Sequence, residues 1–135
     1  MATMLKIKKV DELTPEYIEG KLFSFHNTAQ KFHHDTKSFA EHMALGQFYE
    51  ALDKYRDEIP EKLMGYIGGK RIGKIELDEI PAYSHDEAVK LVESVKDFAY
   101  ELYEWAGKKK YCHIENIAQE ISGDAAKTIY LLTLS

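Results

Sequence analysis

Three histidines, His33, His34 and His42, fall within ten positions of one another, and Asp57 and Glu61 follow at a spacing of four. Imidazole nitrogens and carboxylate oxygens together suit iron, manganese or zinc, whereas softer ions need thiolates. Residues i and i+4 share one helix face, so Asp57 and Glu61 project side by side. An exposed acidic pair is ordinarily a solvated face. Its coincidence with the histidine group around one helix hairpin makes a candidate metal centre.

Geometry constrains that centre. His42 and Asp57 are 15 residues apart on one helix, about 22 Å at roughly 1.5 Å per residue, so one ion cannot bind both within a chain. A shared site requires two copies, the histidines of one facing the carboxylates of the other across a two-fold axis, with two equivalent sites per dimer. The intramolecular di-iron site of helix bundles uses Glu-x-x-His, and no Glu-x-x-His occurs in this sequence.

Four segments have the periodicity to carry these residues. The first helix opens at Thr14-Pro15, a capping residue followed by proline at the first helical position, and Ile18, Leu22, Phe25, Ala29 and Phe32 form its core stripe. The second begins at Ser38, with Glu41 completing a capping box. Met43, Leu45, Phe48, Leu52, Tyr55, Ile59 and Leu63 give it an apolar face as far as Gly65. The third runs from Ser84, with Glu87 completing a second box, to Gly107 on the stripe Ala88, Val92, Val95, Ala99, Leu102 and Ala106. The fourth carries Ile114, Ile117, Ile121, Ala125 and Leu132, and Gly123 inside it predicts close packing or a bend. Gly68, Gly69, Gly73 and Pro81 break the pattern between Gly65 and Tyr83, which reads as one long connection. No strand alternation or internal repeat is present. Short links join helices one to two and three to four, and the long link can run the length of the bundle. The expected fold is therefore all-α, a ferritin-like four-helix bundle with one long crossover between helices two and three, in a single domain over residues 1–135 with a short tail at 1–13.

Composition narrows the partners. The chain has 135 residues and a net charge of −5, so its overall field repels nucleic acid and anionic membrane. The basic groups Lys6/Lys8/Lys9, Lys70/Arg71/Lys74 and Lys108–Lys110 are short and read as solvated surface. The single Cys112 rules out an intramolecular disulfide and suits a reducing cytosol. With no apolar run approaching the roughly 20 residues that span a bilayer, and no leader pattern, a cytoplasmic protein without membrane contact is expected.

The chain resembles the Dps-type mini-ferritins, the DNA-protection proteins of starved bacteria. The likeness runs from Phe32-His33-His34 through Ser38-Phe39-Ala40-Glu41-His42 to Asp57-Glu58-Ile59-Pro60-Glu61. It includes the His42-to-Asp57-to-Glu61 spacing, the Gly68-Gly69 pair and a last helix over Glu115 to Leu134. It is nearest to the small versions encoded by tailed phages and large DNA viruses, which implies a host-cell cytoplasm if the chain is viral. The resemblance implies a mono- or di-iron ferroxidase centre between subunits. His33 and His42 would come from one subunit, Asp57 and Glu61 from its partner, with His42, Asp57 and Glu61 catalytic and Glu61 best placed to bridge two irons. Fe(II) would be oxidised by peroxide or oxygen and stored as ferric mineral in a hollow shell, usually a dodecamer. The interval from His33 to His42 is shorter here than in the bacterial members, so His34 is an alternative ligand to His33. Its position usually carries an aromatic residue in the family. Pro60 removes the N–H that would bond the Arg56 carbonyl and should kink helix two beside the carboxylates. DNA binding is not expected, because only Lys6, Lys8 and Lys9 precede the first helix. The alternative function is a ferritin-like oligomeric scaffold, or a host-factor-binding protein, with a lost or altered metal site.

Overall fold

The structure, a computed structural model, describes residues 6–134. It consists of four helices, α1 (Pro15–Asp35), α2 (Phe39–Tyr66), α3 (His85–Lys109) and α4 (Cys112–Leu132), preceded by a short 3-10 turn at Val10–Glu12. No strand forms among the described residues, and no helix is long and apolar enough to cross a membrane. Residues 1–5 of the expected tail lie outside the described residues. Within 6–13, Leu13 is buried and the Val10 N–H donates to Glu101 on α3 at 2.9 Å, so this stretch is fastened to the bundle.

The helix starts follow the capping chemistry. Thr14 Oγ1 accepts the Tyr17 N–H at 3.1 Å with Pro15 behind it, Ser38 Oγ accepts the Glu41 N–H at 3.2 Å, and Ser84 Oγ accepts the Glu87 N–H at 3.0 Å. The expected capping box at Ser38 is only half made. The Ser38 N–H bonds Thr36 Oγ1 instead, and the Glu41 carboxylate turns into the protein interior. α2 continues without a break through Pro60 to Tyr66.

Every stripe residue expected in α1 and α3 is fully buried, as are Leu45, Phe48, Leu52, Ile59 and Leu63 on α2. Met43 departs from the expectation and is 47% exposed. Two residues before Leu45, it lies about 200° round the helix at roughly 100° per residue, on the side away from the core. At Gly123, where close packing or a bend was expected, a Cβ would meet nothing within 4 Å, so close packing does not account for this glycine. α3 overruns its expected end at Gly107 and stops at Lys109, where Lys110 takes a left-handed conformation (φ 62°). The N–H groups of Lys110 and Tyr111 then close on the carbonyls of Gly107 and Ala106.

The connection over residues 67–84 carries no regular structure beyond a turn at Gly68 and Gly69. It runs along α1 in the same direction. The Gly73 N–H bonds Glu16 at 2.8 Å, Asp78 pairs with buried Lys21 at 2.8 Å and donates its N–H to Ser24 Oγ at 2.9 Å, and Tyr83 reaches Thr36. Gly20 makes this path possible, since a Cβ there would lie 2.5 Å from the Glu76 carbonyl oxygen. The crossover therefore returns the chain to the end where α1 stops and α2 starts. α2 and α3 run parallel, each antiparallel to α1 and α4, and the packed pairs are α1–α2, α3–α4, α2–α4 and α1–α3. Phe25 and Phe98 meet edge to face at 5.5 Å between α1 and α3, and the Tyr55 hydroxyl donates to Asp124 at 2.5 Å between α2 and α4.

Candidate metal centre

The hairpin between α1 and α2 brings two of the predicted ligands into direct contact. His33, on the last turn of α1, and His42, on the first turn of α2, stack with ring centroids 3.7 Å apart and planes 17° apart. Their bonding is reciprocal. His33 Nδ1 lies 2.7 Å from the His42 carbonyl oxygen, and His42 Nδ1 lies 2.8 Å from the His33 carbonyl oxygen. A carbonyl oxygen only accepts, so both Nδ1 atoms carry a proton, and a ring with no second proton has its lone pair on Nε2. Metal-binding histidines are ordinarily held in this way, with the second nitrogen bonded to a carbonyl or carboxylate that fixes tautomer and orientation.

Gly46, one turn after His42, gives the His33 ring its place. A Cβ at Gly46 would lie 3.0 Å from His33 Cε1 and 3.2 Å from Nδ1. The Tyr49 ring tilts against that of His33 at 5.2 Å and meets buried His26 at 5.6 Å. His34 is exposed, its ring 5.7 Å from that of His33, and takes no part in the reciprocal bonding.

Asp57 and Glu61 stand apart from this pair. Both are exposed, toward the opposite end of α2, as its length requires. Among the described residues, no group of three or more His, Cys, Asp or Glu side chains is gathered so as to hold a metal ion within one chain. The four predicted ligands thus form a pair and a pair. The exposed residues Phe39, Met43, Glu50, Asp57 and Glu61 succeed one another at steps of four, seven, seven and four, which keeps them on one stripe of α2. That spacing is symmetric about Glu50. Phe39, 76% exposed, and Met43 flank His42 at one end of the stripe, and the two carboxylates occupy the other.

A second cluster lies beneath the histidine turn, and its sequence signal pointed elsewhere. Glu41, which reads as a capping-box residue, is 1% exposed. One carboxylate oxygen accepts the Tyr83 hydroxyl, and the other lies 2.6 Å from His85 Nδ1, which donates to it. The Tyr83 proton being committed to Glu41, the Thr36 hydroxyl donates to Tyr83 at 3.0 Å. Burial, and next the bond to Glu41, push the Tyr83 hydroxyl above the ordinary tyrosine range. Thr36, Glu41, Tyr83 and His85 line an open depression of about 520 Å³ together with Lys37 and Ser38. Only the fold brings Tyr83 and His85 here, from more than forty residues along the chain.

The chain is thus an all-helical, four-helix protein with one long crossover and a stacked histidine pair at one helix hairpin. Residues 33–132 match DUF5856, a family of unknown function, and the chain belongs to that family. The match begins at His33 itself and takes in the histidine turn, the acidic pair and all of α3 and α4. No curated protein and no solved structure matches the chain.

Proposed function

We propose that this protein is a mini-ferritin-like iron-oxidising and iron-storing protein, taking Fe(II) as substrate at sites shared between two subunits. The observation that carries the reading is the His33–His42 clasp, two adjacent imidazoles locked with Nδ1 protonated and Nε2 open to a metal. Near-parallel rings hold their lone pairs in two separate planes. That arrangement would suit two ions, one per ring, better than one ion chelated by both. The single long crossover is also the connectivity of ferritin-like bundles.

The symmetric stripe on α2 supports the shared site. Two α2 helices packed antiparallel about a two-fold axis near Glu50 would set Phe39, His42 and Met43 of one protomer against Asp57 and Glu61 of its partner. Carboxylates drawn into a half-apolar contact need a counter-charge, and Fe(II) on the imidazole nitrogens supplies it. The partner's carboxylates then complete the coordination, and peroxide or oxygen accepts the electrons.

Fe(II) and peroxide added to the apoprotein should give a rapid rise in near-ultraviolet absorbance, lost in an Asp57→Ala/Glu61→Ala variant. Mixed dimers of His42→Ala with Asp57→Ala/Glu61→Ala should recover activity, because one of their two sites is intact. Equal, slow rates for wild type and the double carboxylate variant would sink the reading. A second reading, an assembly scaffold without iron chemistry, draws on the same exposed Phe39 and Met43. It predicts a dimer that forms equally well in the Asp57→Ala/Glu61→Ala variant and purifies without stoichiometric metal.

A further inference from the structure

The buried Glu41 cluster contains none of the four candidate ligands, yet it is built around the same turn. We propose that Glu41 and Tyr83 are positioning residues for the His33–His42 pair, holding both rings in the Nδ1-protonated form with Nε2 free. The positioning itself stands on the apo geometry. Only the identity of what the histidines bind rests on the function proposed above.

The reciprocal bonds between the two rings run from each helix to the backbone of the other, so they survive only while the last turn of α1 and the first turn of α2 keep their separation and register. The link between them is three residues long, Thr36 to Ser38. Inside that link, the Thr36 N–H bonds the Phe32 carbonyl at 3.0 Å and the Ser38 N–H bonds Thr36 Oγ1 at 3.1 Å. The Thr36 hydroxyl then donates to Tyr83, and Tyr83 to Glu41, the residue immediately before His42. His85, at the first position of α3, supplies the second donor to the same carboxylate at 2.6 Å. The turn and the start of α2 are thereby tied to one point on the crossover and α3. A buried carboxylate deprived of its donors is costly, so the turn cannot open without losing this cluster. On the outer side Phe39, Ala40 and Met43 are all exposed, and Phe39 meets only the edge of the pair, its ring centroid 6.5 Å from that of His42.

The test uses full-length apoprotein labelled with ¹⁵N. Long-range proton–nitrogen correlation at neutral pH reads the tautomer of each histidine, and Zn(II) titration gives the affinity of the pair with a redox-inert ion. Wild type should show both rings protonated at Nδ1. Tyr83→Phe and Glu41→Gln should convert them to mixtures of tautomers and weaken Zn(II) binding by about tenfold, the lower end of what lost outer-sphere bonds cost a metal site. Tyr55→Phe, which breaks a buried tyrosine–carboxylate bond elsewhere in the bundle, should leave tautomers and affinity unchanged. Unaltered tautomers in Tyr83→Phe, or equal changes in Tyr55→Phe, would overturn the proposal. If the tautomers respond as expected but wild type fails to oxidise Fe(II), the positioning role stands and the ferroxidase reading falls.

Discussion

Gly46 lies against the ring of His33: a Cβ there would stand 3.0 Å from the ring carbon between its two nitrogens, so the ring would have to give by a few tenths of an ångström. Alanine at this position therefore has two opposing effects. In a helix interior it gains up to about 1 kcal/mol over glycine, and it also pushes His33 away from the His42 carbonyl. The expected outcome for Gly46→Ala is a folding free energy within about 1 kcal/mol of wild type with Zn(II) affinity reduced several-fold. Urea unfolding and metal titration on the same preparation check this, and unchanged metal affinity would count against the clasp.

Gly123 makes the opposite case. It sits inside α4 with open space where a Cβ would go and a right-handed backbone. Gly123→Ala should stabilise the protein by about 0.5–1 kcal/mol, seen as a higher denaturation midpoint at unchanged slope.

Gly20 is where the crossover passes closest to α1. A Cβ 2.5 Å from the Glu76 carbonyl oxygen forces backbone apart, and overpacking of this kind costs about 1–3 kcal/mol. Gly20→Ala should lower stability by that amount, and amide exchange should rise first at Gly73 and Asp78, whose N–H groups bond α1.

Alkaline stability follows from two tyrosines. Burial, then hydrogen bonds to Asp124 and Glu41 respectively, push the Tyr55 and Tyr83 hydroxyls above the ordinary value of 10.0. In the unfolded chain both ionise near pH 10, whereas the folded protein resists ionisation. Their stabilising contribution is fully present below about pH 10 and is lost as pH rises through the higher folded values. Unfolding free energy should fall steeply from about pH 10 upward, and a Tyr55→Phe/Tyr83→Phe variant should show a flatter profile over the same range.

Helix number, helix starts and the buried stripes were legible from residues alone, because capping and 3.6-residue periodicity are local. Ser38, Ser84 and Thr14-Pro15 act through neighbours three residues away, and Ile18 to Phe32 share a face by spacing alone. The misses have equally definite causes. Met43 is apolar but lies on the outward side of α2. Glu41 satisfies the capping pattern, but the interior offers its carboxylate two better donors, one from the crossover and one from α3.

For the candidate site the division is similar. Sequence alone determined that His33, His42, Asp57 and Glu61 are the residues to examine, and helix rise alone determined that the two pairs cannot meet within one chain. The length and glycine content of the 65–83 segment marked a crossover. Only the tertiary structure decided that His33 and His42 stack, that each bonds the other's carbonyl, and that Gly46 makes the space for it. Those facts depend on the angle and separation of two helices, which packing across the whole bundle sets and no local pattern encodes. Tyr83 and His85 reach Glu41 for the same reason, delivered by a crossover whose course along α1 is fixed by buried Lys21, Ser24 and the absence of a side chain at Gly20.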